Sequence, residues 1–434
     1  MTQRKMKDSG IEWIGEIPEE WEIGKIRYYF TIICGATPKS DELKYWNGNI
    51  NWITPAEMSE SNKIITESIR KITAAGYQSC GTELIPKNSL ILSTRAPIGQ
   101  VCISGCELCT NQGCKSLKIR TANTNYEYYY YYLTIQSAIF NMLGRGTTFM
   151  ELSTTDLSDY IIPVPSIGEQ QTIADYLDKK CAAIDKAIEA EKQIIEKLKI
   201  YKQSVITDAV TKGLDKNAKM KPSGIDWIGE IPEEWKKSHI KYCSDFEPYC
   251  DVTSFKSDDI VTCTPMECIR SGEFENREGP FSSYNSSYTP YEENDIAFAK
   301  VTPCFENGNI AIMKDLHNGF GYGSSELFII RARAIETKFL FYWLQNTIFK
   351  QQACATMTGV GGLKRVSPDF VRNCPLFIPS EDEQKKIIDF LEDKCNSVNT
   401  TIMVKTQIVD KLKQYKKSLI YESVTGKREI CHNI

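Results

Sequence analysis

At 434 residues, with 41% hydrophobic and 25% charged side chains, the chain has the make-up of a folded protein of two to four domains and not of a disordered segment. No apolar run is long enough for a membrane span, and the N-terminal MTQRKMKDSG lacks a secretory apolar stretch, so a cytoplasmic protein without membrane contact is expected. The net charge of -4 gives no global nucleic-acid signature, the 16 cysteines read as small buried hydrophobes, and His239, His317 and His432 alone leave little material for histidine chemistry.

Along the chain, SGIEWIGEIPEEW (residues 9–21) comes first, and Pro18 makes it an extended or turn segment. Trp13 and Trp21 are expected to anchor packing. A variable region follows, with strand character in SLILSTR (89–95) and QVCISG (100–105) and an aromatic helix in YEYYYYYLTIQSAIFNML. Its tyrosines occupy all sides of a helix, so most must pack in a core or against a neighbour. From Glu169 a helical pattern runs for about 42 residues without Gly or Pro, which at 1.5 Å per residue is roughly 60 Å. Leu177, Cys181, Ile184, Ile188, Glu191, Ile195, Leu198, Lys202 and Val205 follow 4-3 spacing, the seam of a coiled coil.

The order then starts again. Residues 223–235 read SGIDWIGEIPEEW, identical to the first copy at 12 of 13 positions and displaced by 214. Trp227 and Trp235 are again packing anchors, and Pro232 again breaks any helix. A second variable region has strands in DIAFAKV (295–301) and ELFIIRA (326–332) and an aromatic helix in ETKFLFYWLQNTIF. The segment PSEDEQKKIIDFLEDKC, from 379, then matches PSIGEQQTIADYLDKKC, from 165, at the same offset. Its seam is Leu391, Cys395, Val398, Ile402, Lys405, Val409, Leu412, Lys416 and Leu419. Neither helix can bury its stripe alone, so each is expected to pack on the other. Glu191, Lys202, Lys405 and Lys416 either set the register or snorkel at the helix edge.

The predicted architecture is α+β: two mixed α/β domains and two long helices in an antiparallel coiled coil, with an internal pseudo-two-fold repeat. The segments are 1–164, a first domain with its motif; 165–213, the first helix; 214–378, the second motif and domain; and 379–434, the second helix and tail.

Catalytic motifs are missing. There is no phosphate-binding G-x-x-x-x-G-K-[ST], no G-x-S-x-G elbow and no Asp/Asn-Pro-Pro-aromatic motif of amino-methyltransferases, and TGVGG (358–362) is no dinucleotide fingerprint. Cys102, Cys106, Cys109 and Cys114 are spaced C-x3-C-x2-C-x4-C, a set that could bind zinc. The second region has no such cluster and structural zinc sites usually draw on two separated pairs, so no metal is expected.

Two matched loops look built for nucleic acid. The first, GRGTTF, holds Arg145, Gly146, Thr147 and Thr148; the second, TGVGGLKRVS, holds Gly361, Lys364 and Arg365. Glycines let the backbone approach a phosphate, and cations and hydroxyls donate to it. STRAPIG (93–99) and AKVTPCFENG (299–308) form another pair, with Thr94 and Arg95 in one and Lys300 and Thr302 in the other. No catalytic residue is assigned.

This layout resembles the specificity (S) subunit of type I restriction–modification enzymes. The residues that carry the resemblance are the duplicated Trp motif, TNQGCKSL (110–117), IPVPSIGEQQTIADYLD, DIAFAKVTPCFENG, GLKRVS and FIPSEDEQKKIIDFLED. The resemblance implies two target-recognition domains that each read one half of a split, asymmetric double-stranded DNA sequence. It implies that the helices fix the spacer and dock two methyltransferase (M) subunits, with two restriction (R) subunits in a restricting system. Adenine methylation with S-adenosylmethionine, and ATP- and Mg-dependent cleavage, would then belong to the partners, and this chain would bind no cofactor. Asn111, Gln112 and Lys115 of the NQG segment, and Ser324 in the second half, join the DNA-binding candidates. Where the family often has an aromatic after NQG, this chain has Cys114, which favours a core role for the cysteines. A coiled-coil scaffold whose domains bind protein is the competing reading.

Overall fold

The computed structural model describes residues 4–430 apart from 60–61, 146–149, 271, 286 and 361. The chain forms two compact units: Met1–Glu191 with Gln407–Ile434, and Lys192–Thr406. Each long helix gives one part to each unit.

In the first unit the central sheet has the order Phe30–Cys34, Cys114–Ile119, Leu90–Ser93, Val101–Ser104, Ile64–Ile65, antiparallel except for the last pair. Leu90–Ser93 and Val101–Ser104 are buried throughout, which is why they read as short apolar runs without alternation. A second sheet joins Cys109–Thr110, Trp46–Ile53 and Lys71–Ile72. The second unit repeats the plan, with a central sheet ordered Ser244–Phe246, Leu327–Ala332, Ile296–Ala299, Ile310–Ile312. Its other sheet joins Arg277–Pro280, Ile260–Thr264, Phe320–Gly323 and Thr289–Glu292.

The repeated residues build the base of each unit. Met6–Asp8 pairs with Glu16–Pro18, and Met220–Pro222 pairs with Glu230–Pro232 in the same register. Gly15 and Gly229 close the connecting loops at φ of 68° and 74°, where a side chain would be strained, and each carbonyl accepts from the serine amide six residues earlier at 2.9 Å. Glu22–Lys25 then pairs with Ile161–Val164, and Lys236–His239 with Pro375–Ile378. Each variable region therefore leaves and re-enters the frame on adjacent strands.

Trp21 and Trp235 are fully buried and tie this base to the long helices. The Trp21 indole donates to Glu169 at 2.8 Å and the Trp235 indole to Glu383 at 3.1 Å. The next residue is a buried glutamine in both copies. Gln170 donates to the Pro165 carbonyl and accepts from the Asn125 amide, at 2.9 and 2.8 Å. Gln384 donates to Pro379 and accepts from Glu336, at 3.1 and 2.9 Å. Asn125 and Glu336 are the N-caps of the aromatic helices. The repeated Glu-Gln pair thus fastens both the Trp strand and the variable region to one helix start.

Each expected aromatic helix is two helices: Tyr126–Thr134 then Ser137–Leu143, and Thr337–Gln345 then Thr347–Ala355. In the second unit the break has a plain cause. The Asn346 side chain accepts from the Phe349 amide at 2.7 Å, capping a new helix where the old one stops. Tyr128 to Tyr132 are all buried. The hydroxyls of Tyr128, Tyr129, Tyr131 and Tyr132 meet protein acceptors, among them the carbonyls of Val424 (2.9 Å) and Pro163 (3.2 Å), so the run is core.

The long helices are Ile167–Lys212 and Glu381–Val424, and they pack together as an antiparallel pair. In the first unit the end of the second helix meets the domain fastened to the start of the first, through Tyr128 and Val424. In the second unit the end of the first helix meets the domain fastened to the start of the second, through Thr207 and Thr347. Leu177, Ile184, Ile188, Leu391, Val398 and Val409 are buried; Ile195, Leu198, Ile402 and Leu412 are half-buried with exposed residues on either side. Polar seam residues reach the opposing helix within each unit: Lys416 donates to Asp185 and Lys202 to Asn399.

The four clustered cysteines are divided between cores. Cys102 and Cys114 pack with Ile33, Ile53 and Ile91, and Cys106 lies against them, whereas Cys109 packs with Trp46, Trp52 and Ile72. Burial pushes the thiols up, to about 11 for Cys109 and about 12 for Cys114. Among the described residues no three His, Cys, Asp or Glu side chains converge as a metal site, and no helix is long and apolar enough to cross a membrane.

Candidate nucleic-acid interface

At one end of each central sheet, the loop after a buried strand meets a returning segment that leads into a capped helix. In the first unit Thr94 accepts from the Leu152 amide at 3.0 Å, and Arg145 and Glu151 exchange main-chain hydrogen bonds at 3.0 Å. In the second unit Lys300 accepts from the Val366 amide at 2.9 Å, and Thr358–Val360 pairs with Leu363–Arg365 as a hairpin. Ser153 and Ser367, again 214 apart, cap the following helices by accepting from Asp156 and Phe370 amides at 3.0 and 3.3 Å. The sequence-matched loops thus hold equivalent places in both units.

The candidate side chains divide into outward and inward groups. Arg145 is 79% exposed, with one ion pair to Asp156 at 3.1 Å. Arg95, Gln112, Lys364 and Arg365 are also exposed. On the hairpin that carries Lys364 and Arg365, Val360 is 90% exposed. Gly146, Thr147, Thr148 and Gly361 lie outside the described residues.

The others shape the loops from within. Lys115 is 4% exposed; it donates to the Leu152 carbonyl at 2.7 Å and pairs with Glu151 at 3.2 Å. Thr94 is buried and hydrogen-bonded to Gly113. Thr302 donates to Gly362 at 2.7 Å and accepts from the Lys364 amide at 3.0 Å, holding the hairpin in place. Asn111 accepts from Gly113 and Ser324 from Glu326, the same two-residue turn in both units. Lys300 is half-buried, with its ammonium over the Phe328 ring at 5.4 Å. Gln112 accepts from the Thr37 hydroxyl.

Two carboxylates that the sequence does not announce control these cations. Glu151 joins Arg95 (2.9 Å) to Lys115, and Glu326 takes both arms of Arg365 at 2.7 and 2.8 Å. Burial works to raise the Glu151 carboxyl, but hydrogen bonds from Arg95 and Lys115 outweigh it and hold the group below its ordinary value; the Arg365 guanidinium does the same for Glu326. A carboxylate lowered in the folded state stabilises the fold above its ordinary titration range, and that contribution is lost as pH falls through the lowered value. A Glu151→Gln variant is therefore expected to be less stable than the parent at neutral pH, with the gap closing below about pH 4. Urea melts at pH 7 and in acid check this; a gap independent of pH would refute it.

The two-fold plan of frame, variable domain and long helix recurs in comparison with known proteins. Residues 18–199 and 232–420 each match the model of the type I restriction modification DNA specificity domain. The chain belongs to this family. It is 34% identical over 190 residues to the type I restriction enzyme MjaIX specificity subunit of Methanocaldococcus jannaschii, an alignment spanning 43% of each chain. The EcoAI specificity subunit of Escherichia coli is 31% identical over 219 residues, 49% of this chain and 34% of that one. These alignments span less than half the length of the relatives concerned. The MjaVIII specificity subunit of M. jannaschii aligns over 95% of this chain and 93% of its own, at 23% identity. In fold, the chain matches one from a structure of type I restriction–modification complex assembly with a TM-score of 0.72, 11% identity and coverage of 95% and 99%. The HsdS subunit of Thermoanaerobacter tengcongensis gives 0.51 at 13% identity, covering 95% and 98%. The two specificity domains coincide with the two halves of the repeat, and each carries one of the basic loop edges.

Proposed function

We propose that this chain is the DNA-recognition subunit of a type I restriction–modification complex, with each domain reading one half of a bipartite, asymmetric site. The observation that carries this reading is the pair of specificity domains, each presenting exposed cations on equivalent loops while the rest of the two surfaces differ. Different side chains at one geometric position read different bases. The helix pair, with 46 and 44 residues, sets the spacer and offers its exposed faces to two methyltransferase subunits. Methylation with S-adenosylmethionine, and any ATP- and Mg-dependent cleavage by restriction subunits, take place in those partners. A coiled-coil scaffold without a DNA role leaves the matched basic loops unexplained.

In this reading Arg145→Ala and Arg365→Ala each weaken specific DNA binding by about 1 kcal/mol or more. Gel-shift titration and methylation of genomic DNA by the reconstituted complex test both; normal methylation by both variants would remove these residues from the interface. Arg365 exchanges Glu326 for DNA on binding, so its net contribution is smaller than that of an unpaired cation.

A further inference from the structure

A cleft of about 1030 Å³ opens in the second unit beside its helix pair. Lys199 and Lys202 of the first long helix line it, with Arg270 and Lys350 of the domain and Asn396 and Asn399 of the second helix. Phe298 and Phe305 add an apolar wall, and Glu273 is the one carboxylate among the lining residues.

The internal repeat shows what is unusual here. In the first unit Lys416 donates to both carboxylate oxygens of Asp185 at 2.7 Å. At the equivalent place in the second unit, Lys202 meets the neutral amide of Asn399 at 2.9 Å. Lys350 donates to the main-chain carbonyl of Glu306 at 3.1 Å, and burial lowers its pKa. Arg270 makes no ion pair among the described residues. Lys199 pairs with Glu196 at 2.8 Å, but both side chains are more than half exposed, so the pair neutralises little. The cleft therefore collects four cations, and the two that are half-buried, Lys202 and Lys350, meet only neutral acceptors there. A multi-oxygen anion would supply the missing charge, and the asparagine amides are further donors to it.

We propose that this cleft holds a backbone phosphate of DNA flanking the half-site read by the second domain. The inference rests on the functional reading above and extends it. DNA is favoured over another anion because the loop that supplies Asn307, Gly308 and Asn309 to the cleft is the loop that carries Lys300 and Thr302 at the candidate interface. The contact is independent of sequence, so it adds affinity without altering the site read.

The test uses the chain assembled with its methyltransferase partner. The double variant Lys202→Gln/Lys350→Gln is expected to bind its DNA about tenfold more weakly, with the log–log salt dependence flatter by about one to two units and the methylated sequence unchanged. Asn399→Asp removes no cation and recreates the pair seen in the first unit; it is expected to weaken binding in the same direction, with an unchanged melting temperature. Unchanged affinity and salt slope in both variants would overturn the inference. So would loss of the methyltransferase partner in place of loss of DNA, which marks a protein contact. Binding of a fluorescent ATP analogue that the double substitution abolishes, with DNA affinity intact, would reassign the cleft to a free nucleotide. If the unaltered complex binds no DNA sequence selectively, the functional reading fails and this inference falls with it.

Discussion

Inserting one heptad after Glu191 and one after Thr406 is expected to lengthen the spacer of the recognised site and leave both half-sites as they were. These positions lie where each long helix passes from one compact unit to the other, so neither unit loses an internal contact. A heptad preserves the 4-3 seam, whereas four or three residues would turn the apolar stripe away from its partner. Seven residues add about 10 Å of helix, which corresponds to about three base pairs. Methylome sequencing of cells carrying the variant gives the answer directly. New half-sites with the old spacer would refute a ruler, and loss of all methylation with normal assembly would show that the DNA cannot follow the longer frame.

The second large effect falls on stability. Trp235→Ala is expected to cost about 3–5 kcal/mol, the usual range for deleting a buried large aromatic. Trp235 is 1% exposed, packs edge-on to Phe339 at a ring separation of 6.3 Å and donates to Glu383. Its removal opens a void where the Trp strand, the aromatic helix and the long helix meet. Trp235→Phe keeps most of the buried area and loses the hydrogen bond, so about 1 kcal/mol is expected from that loss before any repacking. Trp21→Ala should act likewise on the first unit, because Trp21 holds the same place against Glu169 and Tyr128. Urea denaturation of the purified chain measures each cost. A loss below 1 kcal/mol for either alanine variant would show that the motif is not a structural clamp.

The frame was legible because its signals are local or repeated. A 4-3 apolar seam without Gly or Pro specifies a long helix that needs a partner, and an unbroken 214-residue offset ties each motif to its copy. The strands of the variable regions were legible where apolar runs were short and bounded. The break in each aromatic helix was not, because nothing in the run to Gln345 announces that Asn346 will cap a new helix.

The candidate interface could be read from the sequence as loops, but the orientation of its side chains could not. Lys115 and Arg95 are both cations near the end of a strand. Strand pairing puts one inside against the Leu152 carbonyl and leaves the other at the surface. Likewise Glu151 and Glu326 lie far in sequence from some of the cations they hold, and only folding brings them together. The four cysteines look like one group over 13 residues, but the chain directs Cys109 to a different core from Cys102 and Cys114.

By itself, the sequence determined the length, composition, repeat and seam, and through them a near-duplicated frame carrying two different domains. Periodicity and repetition are properties of the chain, so they survive without coordinates. The tertiary structure alone decided which cations face outward, which carboxylates restrain them, and that Asn399 meets Lys202 where Asp185 meets Lys416. Those outcomes depend on burial and on pairing between distant residues, which no spacing along the chain encodes.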